Sequence, residues 1–198
     1  MGNAWRVVAA VLWMLAGPAH ALNLAGVEIA PMVRPEGQPR PWPLLGSAQV
    51  HRSFIPFYGL AMHGPADAVV HGGLSEGLTP LQITLVWYAN ALPKPQVEAH
   101  FRALFEQVAS AETRQRVAPR IEKFIAMLPA ASRGKSMVFY YDPDAGTQVS
   151  IDGAAGGHFS GIEFNRALLG MWLGPAADAD VRDGLTRKPE AQDSQKAE

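Results

Sequence analysis

Hydrophobic and polar positions change period as the chain proceeds. From Leu22 to Ala30, Val27 and Ile29 alternate with polar or small neighbours, which predicts a first strand. Met32 to Pro43 is rich in Pro, Gly and charge and reads as loop. Leu44 to Met62 reads as extended structure, with Val50, Arg52 and Phe54 on one face and His51 and Ser53 on the other. Pro56 confines that stretch to a sheet edge or a bulge. Asp67 to His71 suits another short strand, and Leu81 to Tyr88 (LQITLVWY), β-branched and aromatic, a well-defined one. The period then lengthens. Val97, Phe101, Leu104, Phe105 and Val108 recur at helical spacing. Val117, Ile121, Phe124, Ile125 and Leu128 do the same, with Pro119 expected near the start of that helix. Period two returns in Ser136 to Asp142 and Thr147 to Asp152, which flank the hairpin turn Pro143-Asp144-Ala145-Gly146. A second, Gly-rich turn at Gly153 to Gly157 leads to His158-Phe159. Phe164, Leu168, Leu169 and Trp172 then mark a short helix closed by Gly174-Pro175. Residues 175–198 are polar and charged without period, which predicts a flexible tail. Strands, then helices, then a hairpin and a helix read as α+β with an antiparallel sheet.

Residues 1–21 follow a different logic. Arg6 precedes the ten-residue apolar run Val7 to Ala16, Gly17-Pro18 ends it, and Ala19-His20-Ala21 forms a small-x-small cleavage pattern. As a helix such a run rises only about 15 Å, against roughly 30 Å for a bilayer core. The segment is therefore expected to be a secretory signal peptide cleaved after Ala21, with no stable membrane anchor. It predicts a periplasmic or secreted protein with one domain over residues 22–174.

Composition narrows the chemistry. The chain is 48% hydrophobic and 18% charged, enough to bury a core, and its formal charge of -1 gives no electrostatic reason to expect nucleic acid or an anionic membrane as partner. It contains no cysteine, which excludes thiol catalysis and zinc-thiolate sites. The histidines after residue 21 form neither His-x-His nor His-Glu-x-x-His, so no metal site is expected. Asp142-Pro143-Asp144-Ala145-Gly146 begins like a calcium loop, but Gly146 stands where an oxygen ligand belongs. Gly153 to Gly157 lacks the Lys and Ser/Thr of a phosphate loop, and no serine stands in a Gly-x-Ser-x-Gly elbow. No cofactor is implied. Arg52 and Tyr58 are more informative. A cation among apolar strand residues, with a phenol nearby, suits a carboxylate or a polarised carbonyl oxygen; the plain alternative is an exposed edge-strand Arg.

Two stretches carry a family resemblance. Gly146-Thr147, Asp152-Gly153, Gly161-Ile162-Glu163-Phe164 and Trp172-Leu173-Gly174, together with the stretch PWPLLGSAQVHRSFIPFYGLAMHG, resemble the bacterial chalcone isomerase-like proteins. The resemblance runs from about Ala25 to Gly174. It implies an open-faced β-sandwich, an antiparallel sheet covered by helices with an apolar cleft between them. In chalcone isomerases that cleft closes a chalcone to a flavanone; related plant proteins bind fatty acids through an Arg and a Tyr. Tyr58 matches the Tyr of the fatty-acid binders. The family Arg falls at Val50 or His51, and Arg52 is one or two residues away. Met171 falls near the isomerase's hydroxyl residue, a role Met does not fill. The implied ligand-binding residues are Arg52, Tyr58 and His51. The implied function is binding of an apolar or amphiphilic small molecule such as a fatty acid. The alternatives are an isomerase acting on a chalcone-like enone and an envelope interaction protein with a filled cleft.

Overall fold

The computed structural model describes residues 22–68 and 73–187. The signal-like segment, the end of the tail and most of the strand expected at Asp67–His71 lie outside the described residues; Asp67 itself is in a turn. Among the described residues, seven antiparallel strands form one sheet in chain order. They are β3 (Met32–Val33), β4 (Trp42–Arg52), β5 (Ile55–His63), β6 (Leu81–Trp87), β7 (Ser136–Asp142), β8 (Gly146–Ile151) and β9 (Ala154–Phe159). A separate hairpin pairs β1 (Leu22–Leu24) with β2 (Val27–Ile29). The helices are α1 (Lys94–Val108), α2 (Ala111–Met127), α3 (Ile162–Leu173) and α4 (Ala179–Thr186).

Strand alternation decides which side each helix covers. Leu60, Leu85, Met137 and Ile151 stand in one cross-strand row, and Met62, Ile83, Phe139 and Val149 in the next. These rows meet Val97, Phe101 and Phe105 of α1, Ile121, Phe124 and Ile125 of α2, and Phe164, Leu168 and Trp172 of α3 in one core. On the other face the β1–β2 hairpin covers Ala61 and Val86, forming a second small core with Leu24 and Ile29. Beyond it residues 35–42 cross the sheet, Gln38 donating to the Tyr140 hydroxyl and Trp42 packing on its ring, and Gln82, Tyr140 and Gln148 floor a trough of about 540 Å³. The result is the α+β open-faced sandwich expected, an antiparallel sheet with helices on one side.

Several boundaries differ from the sequence reading, each for a local reason. The expected strand at Leu22–Ala30 is a hairpin, because Ala25 and Gly26 both take positive φ (52° and 92°) and Asn23 Oδ1 accepts from the Gly26 N–H. Extended structure from Leu44 to Met62 is likewise folded back at Ser53-Phe54. The Gly-rich stretch after Asp152-Gly153 is the edge strand β9, the turn being confined to those two residues. Pro119 lies inside α2 instead of near its start.

The expected flexible tail needs the largest correction. Residues 179–186 form α4, capped by Asp178, whose carboxylate accepts from the N–H groups of Asp180 and Val181. Val181 and Leu185, one turn apart, are buried against the core. Gly46 of β4 makes this docking possible: a Cβ there would collide with the backbone carbonyls of Gly184 and Leu185.

Candidate functional site

Two polar clusters lie in the helix-facing layer. The first fastens α3 to the sheet: the Thr147 hydroxyl donates to Asn165 Oδ1 at 2.6 Å, and the Asn165 amide donates to the carbonyls of Phe159 and Gly161. Its hydrogen-bonding capacity is used in holding the helix start.

The second has the chemistry of a site. Val50 pairs with Tyr58, but the next pair is His51 with Pro56, so Phe57 is an extra residue on β5. Such a bulge re-aims side chains. Here it turns both Phe57 and Tyr58 toward the helices, where both are buried. The Tyr58 hydroxyl lies 3.2 Å from Trp172 Nε1 of α3 and 3.2 Å from His100 Nε2 of α1. The indole N–H donates to the phenol oxygen. With the imidazole proton on Nδ1, Nε2 of His100 is the acceptor for the phenol proton. Rings pack around this chain of bonds: Tyr58 meets Trp87 edge-on at 5.3 Å between centroids, and Phe57 meets His100 edge-on at 4.9 Å.

Electrostatics makes the cluster neutral and its rim positive. Burial, then the charge of Arg52, lowers the His100 pKa to about 4. Burial also raises the pKa of the Tyr58 phenol, against the smaller opposing effect of the Trp172 hydrogen bond. Both groups are therefore uncharged at neutral pH. Arg52, at the end of β4, is exposed, and its guanidinium lies 5.9 Å from the centre of the Phe57 ring. Inward from Tyr58 the layer is filled by Leu60, Leu85, Trp87, Phe101 and Trp172, each at most 1% exposed.

The structure thus brings Tyr58 and Arg52 to one locality, with Arg52 an exposed cation and no burial penalty. His51 is also exposed but lies on the opposite face of β4. Met171 is buried in α3, with a thioether and no hydroxyl to offer. Sequence reasoning missed His100 and Trp172 as partners of Tyr58. His100 had a signal, since it stands three residues after Val97 and beside Phe101 on the apolar stripe of α1. Trp172 had one too, because a buried indole N–H needs an acceptor. A separate groove of about 200 Å³, walled by Arg102, Phe105, Arg114 and Glu122, lies between α1 and α2 on the outer side.

A helix-covered antiparallel sheet with a bulged strand, a buried phenol and a cation at the rim defines a class of α+β open-faced sandwiches. Within that class the chain belongs to the chalcone isomerase-like family, whose profile matches residues 21–186. That match includes α4. Among solved structures the chain is similar to a fatty-acid binding protein of Arabidopsis thaliana, with a TM-score of 0.65 and 16% identity. The match covers 82% of this chain and 92% of that one. At that identity the likeness shows the fold. No curated protein sequence matches the chain significantly.

Proposed function

We propose that this is an exported, non-catalytic member of the family that binds a fatty acid or similar amphiphile between sheet and helices. The observation that carries this reading is the neutral Tyr58–His100–Trp172 cluster lying beneath the rim cation Arg52. A carboxylate placed there accepts the hydrogen bond from the Tyr58 O–H now directed at His100, and Arg52 supplies the opposite charge. Phe57, held at the bulge between Arg52 and His100, is the side chain whose displacement opens a path for the tail. The fatty-acid binding neighbour supports an apolar ligand for this fold. The export signal over residues 1–21 supports binding outside the cytoplasm.

A specific observation favours a second reading, an interaction protein whose cleft is filled by its own side chains. Trp87, Phe101 and Trp172 occupy the layer a tail would take. Native mass spectrometry of protein purified from its own compartment separates the two. The binding reading predicts a co-purifying acid, diminished in Tyr58→Phe and Arg52→Gln. Repeated absence of any bound acid, with no thermal stabilisation of the wild type by added palmitate, overturns the binding reading and favours the filled cleft.

A further inference from the structure

The β4–β5 hairpin tip is built against the usual rules. Its two central residues, Ser53 and Phe54, take φ of 48° and 67°, a conformation that favours Asn-Gly and is an outlier for a bulky side chain. Phe54 is 100% exposed and Ile55 beside it is 69% exposed. A strained turn holding a Phe in water is destabilising twice over, which points to a role for that side chain outside the folded core.

Charge around the tip is one-sided. Along the halves of β4 and β5 that flank the tip, Ser47 to Leu60, the sequence contains no Asp or Glu, while His51 and Arg52 lie within it. His51 and Arg52 flank the tip on opposite faces of β4 and both are exposed. Arg133 lies over the Tyr88 ring at 5.7 Å, and Tyr88 bonds through its backbone to Phe57 and through its hydroxyl to Gln49. A further basic group at this end of the sheet, Lys135, is paired with Asp152 at 3.2 Å. The whole-chain charge of -1 hides this local asymmetry.

We propose that the Phe54-Ile55 tip is a membrane-docking wedge that inserts into the interface of an anionic phospholipid bilayer, with Arg52, His51 and Arg133 against the headgroups. Apolar side chains at an exposed tip, with the Arg52 cation beside them, match the two attractions an anionic interface offers, burial of apolar area and headgroup charge. Docking is peripheral: among the described residues no helix is long and apolar enough to cross a membrane. The proposal stands whether or not the protein binds a fatty acid.

The test is sedimentation of the protein, stripped of bound lipid, with vesicles of equal parts phosphatidylglycerol and phosphatidylcholine, and with vesicles of phosphatidylcholine alone. The wild type is expected to sediment with the anionic vesicles, to bind the neutral ones far less, and to be released by added salt. Phe54→Gly combined with Ile55→Ser is expected to weaken anionic-vesicle binding by about tenfold or more, the equivalent of losing one buried large side chain. Arg52→Gln is expected to weaken it about fivefold. Phe54→Gly relieves the positive φ, so a folding defect does not confound the result. Failure of the wild type to bind anionic vesicles overturns the proposal, as does undiminished binding by the double variant. Sedimentation velocity gives the remaining contrary result: a dimer lost in the double variant, without vesicle binding, makes the tip a contact between copies of the chain.

Discussion

Acidification should unfold this protein partly through one imidazole. His100 has an ordinary pKa of 6.5 and is brought to about 4 by burial and by the charge of Arg52. The unfolded chain therefore takes up this proton first, near pH 6.5, and the folded protein resists it until about pH 4. His100 contributes no pH dependence well above pH 6.5. Its neutral burial becomes a growing liability as the pH falls through that window, and the loss is complete below about pH 4. At about 1.4 kcal/mol per pH unit the gap is worth about 3 kcal/mol, or about 2 kcal/mol after discounting for the ring's partial exposure.

The perturbation that isolates this effect is His100→Gln. The glutamine amide still reaches the Tyr58 hydroxyl but does not titrate. Urea unfolding of wild type and variant at pH 7, 6, 5 and 4.5 gives the comparison. His63, whose pKa is also lowered by burial, and the carboxylates titrate in both proteins and cancel in the difference. The variant is expected to be less stable than wild type at pH 7 by about 1 kcal/mol. It should lose less stability on acidification, so that the two curves converge or cross by pH 4.5. Parallel curves over the whole range would refute the reasoning, since His100 would then titrate alike in folded and unfolded chains.

Other perturbations probe the same structure from different sides. Tyr58→Phe leaves the Trp172 N–H and His100 Nε2 without their shared partner in a buried layer, and is expected to cost about 1–3 kcal/mol in urea unfolding. Gly46→Ala drives a methyl into the carbonyls of Gly184 and Leu185. It should destabilise the protein by about 2 kcal/mol or release α4, which is seen as faster amide exchange at Val181 and Leu185. Ending the chain at Gly174 removes those two core residues and is expected to lower the melting temperature, whereas an unpacked tail would leave it unchanged.

The parts of the fold legible in the sequence are those where periodicity and burial coincide. LQITLVWY became β6 because both of its faces are covered, one by helices and one in part by the β1–β2 hairpin. The two apolar stripes became α1 and α2 because each needs one covered face. Turns were less legible. Ser53-Phe54 does not resemble a hairpin turn, since neither residue prefers positive φ, and only the flanking strands hold it there. α4 was missed because eight residues offer just two large apolar side chains, Val181 and Leu185, although Asp178 stood as a cap before them.

The site was legible in halves. The resemblance pointed to Tyr58, and Pro56 signalled the bulge that aims it. His100 and Trp172 lie 42 and 114 residues away in sequence, on helices whose rotation about their axes is set by the core they share. Periodicity places them on an apolar face but says nothing of which strand residue they meet. Arg52 read either as a cation meeting an anion or as an exposed edge-strand Arg; it is exposed because the strand ends where the hairpin tip leaves the core.

On the proposed function, the layer beneath Arg52 opens to an amphiphile. The most direct test is titration of the delipidated wild type with palmitate below its micelle concentration, followed by tryptophan fluorescence, since Trp87 and Trp172 both pack in that layer. Saturable binding is expected with a Kd of roughly micromolar order, weakened about tenfold by Tyr58→Phe and by Arg52→Gln. A wild type that shows no saturable change, or binding that neither substitution alters, would contradict it.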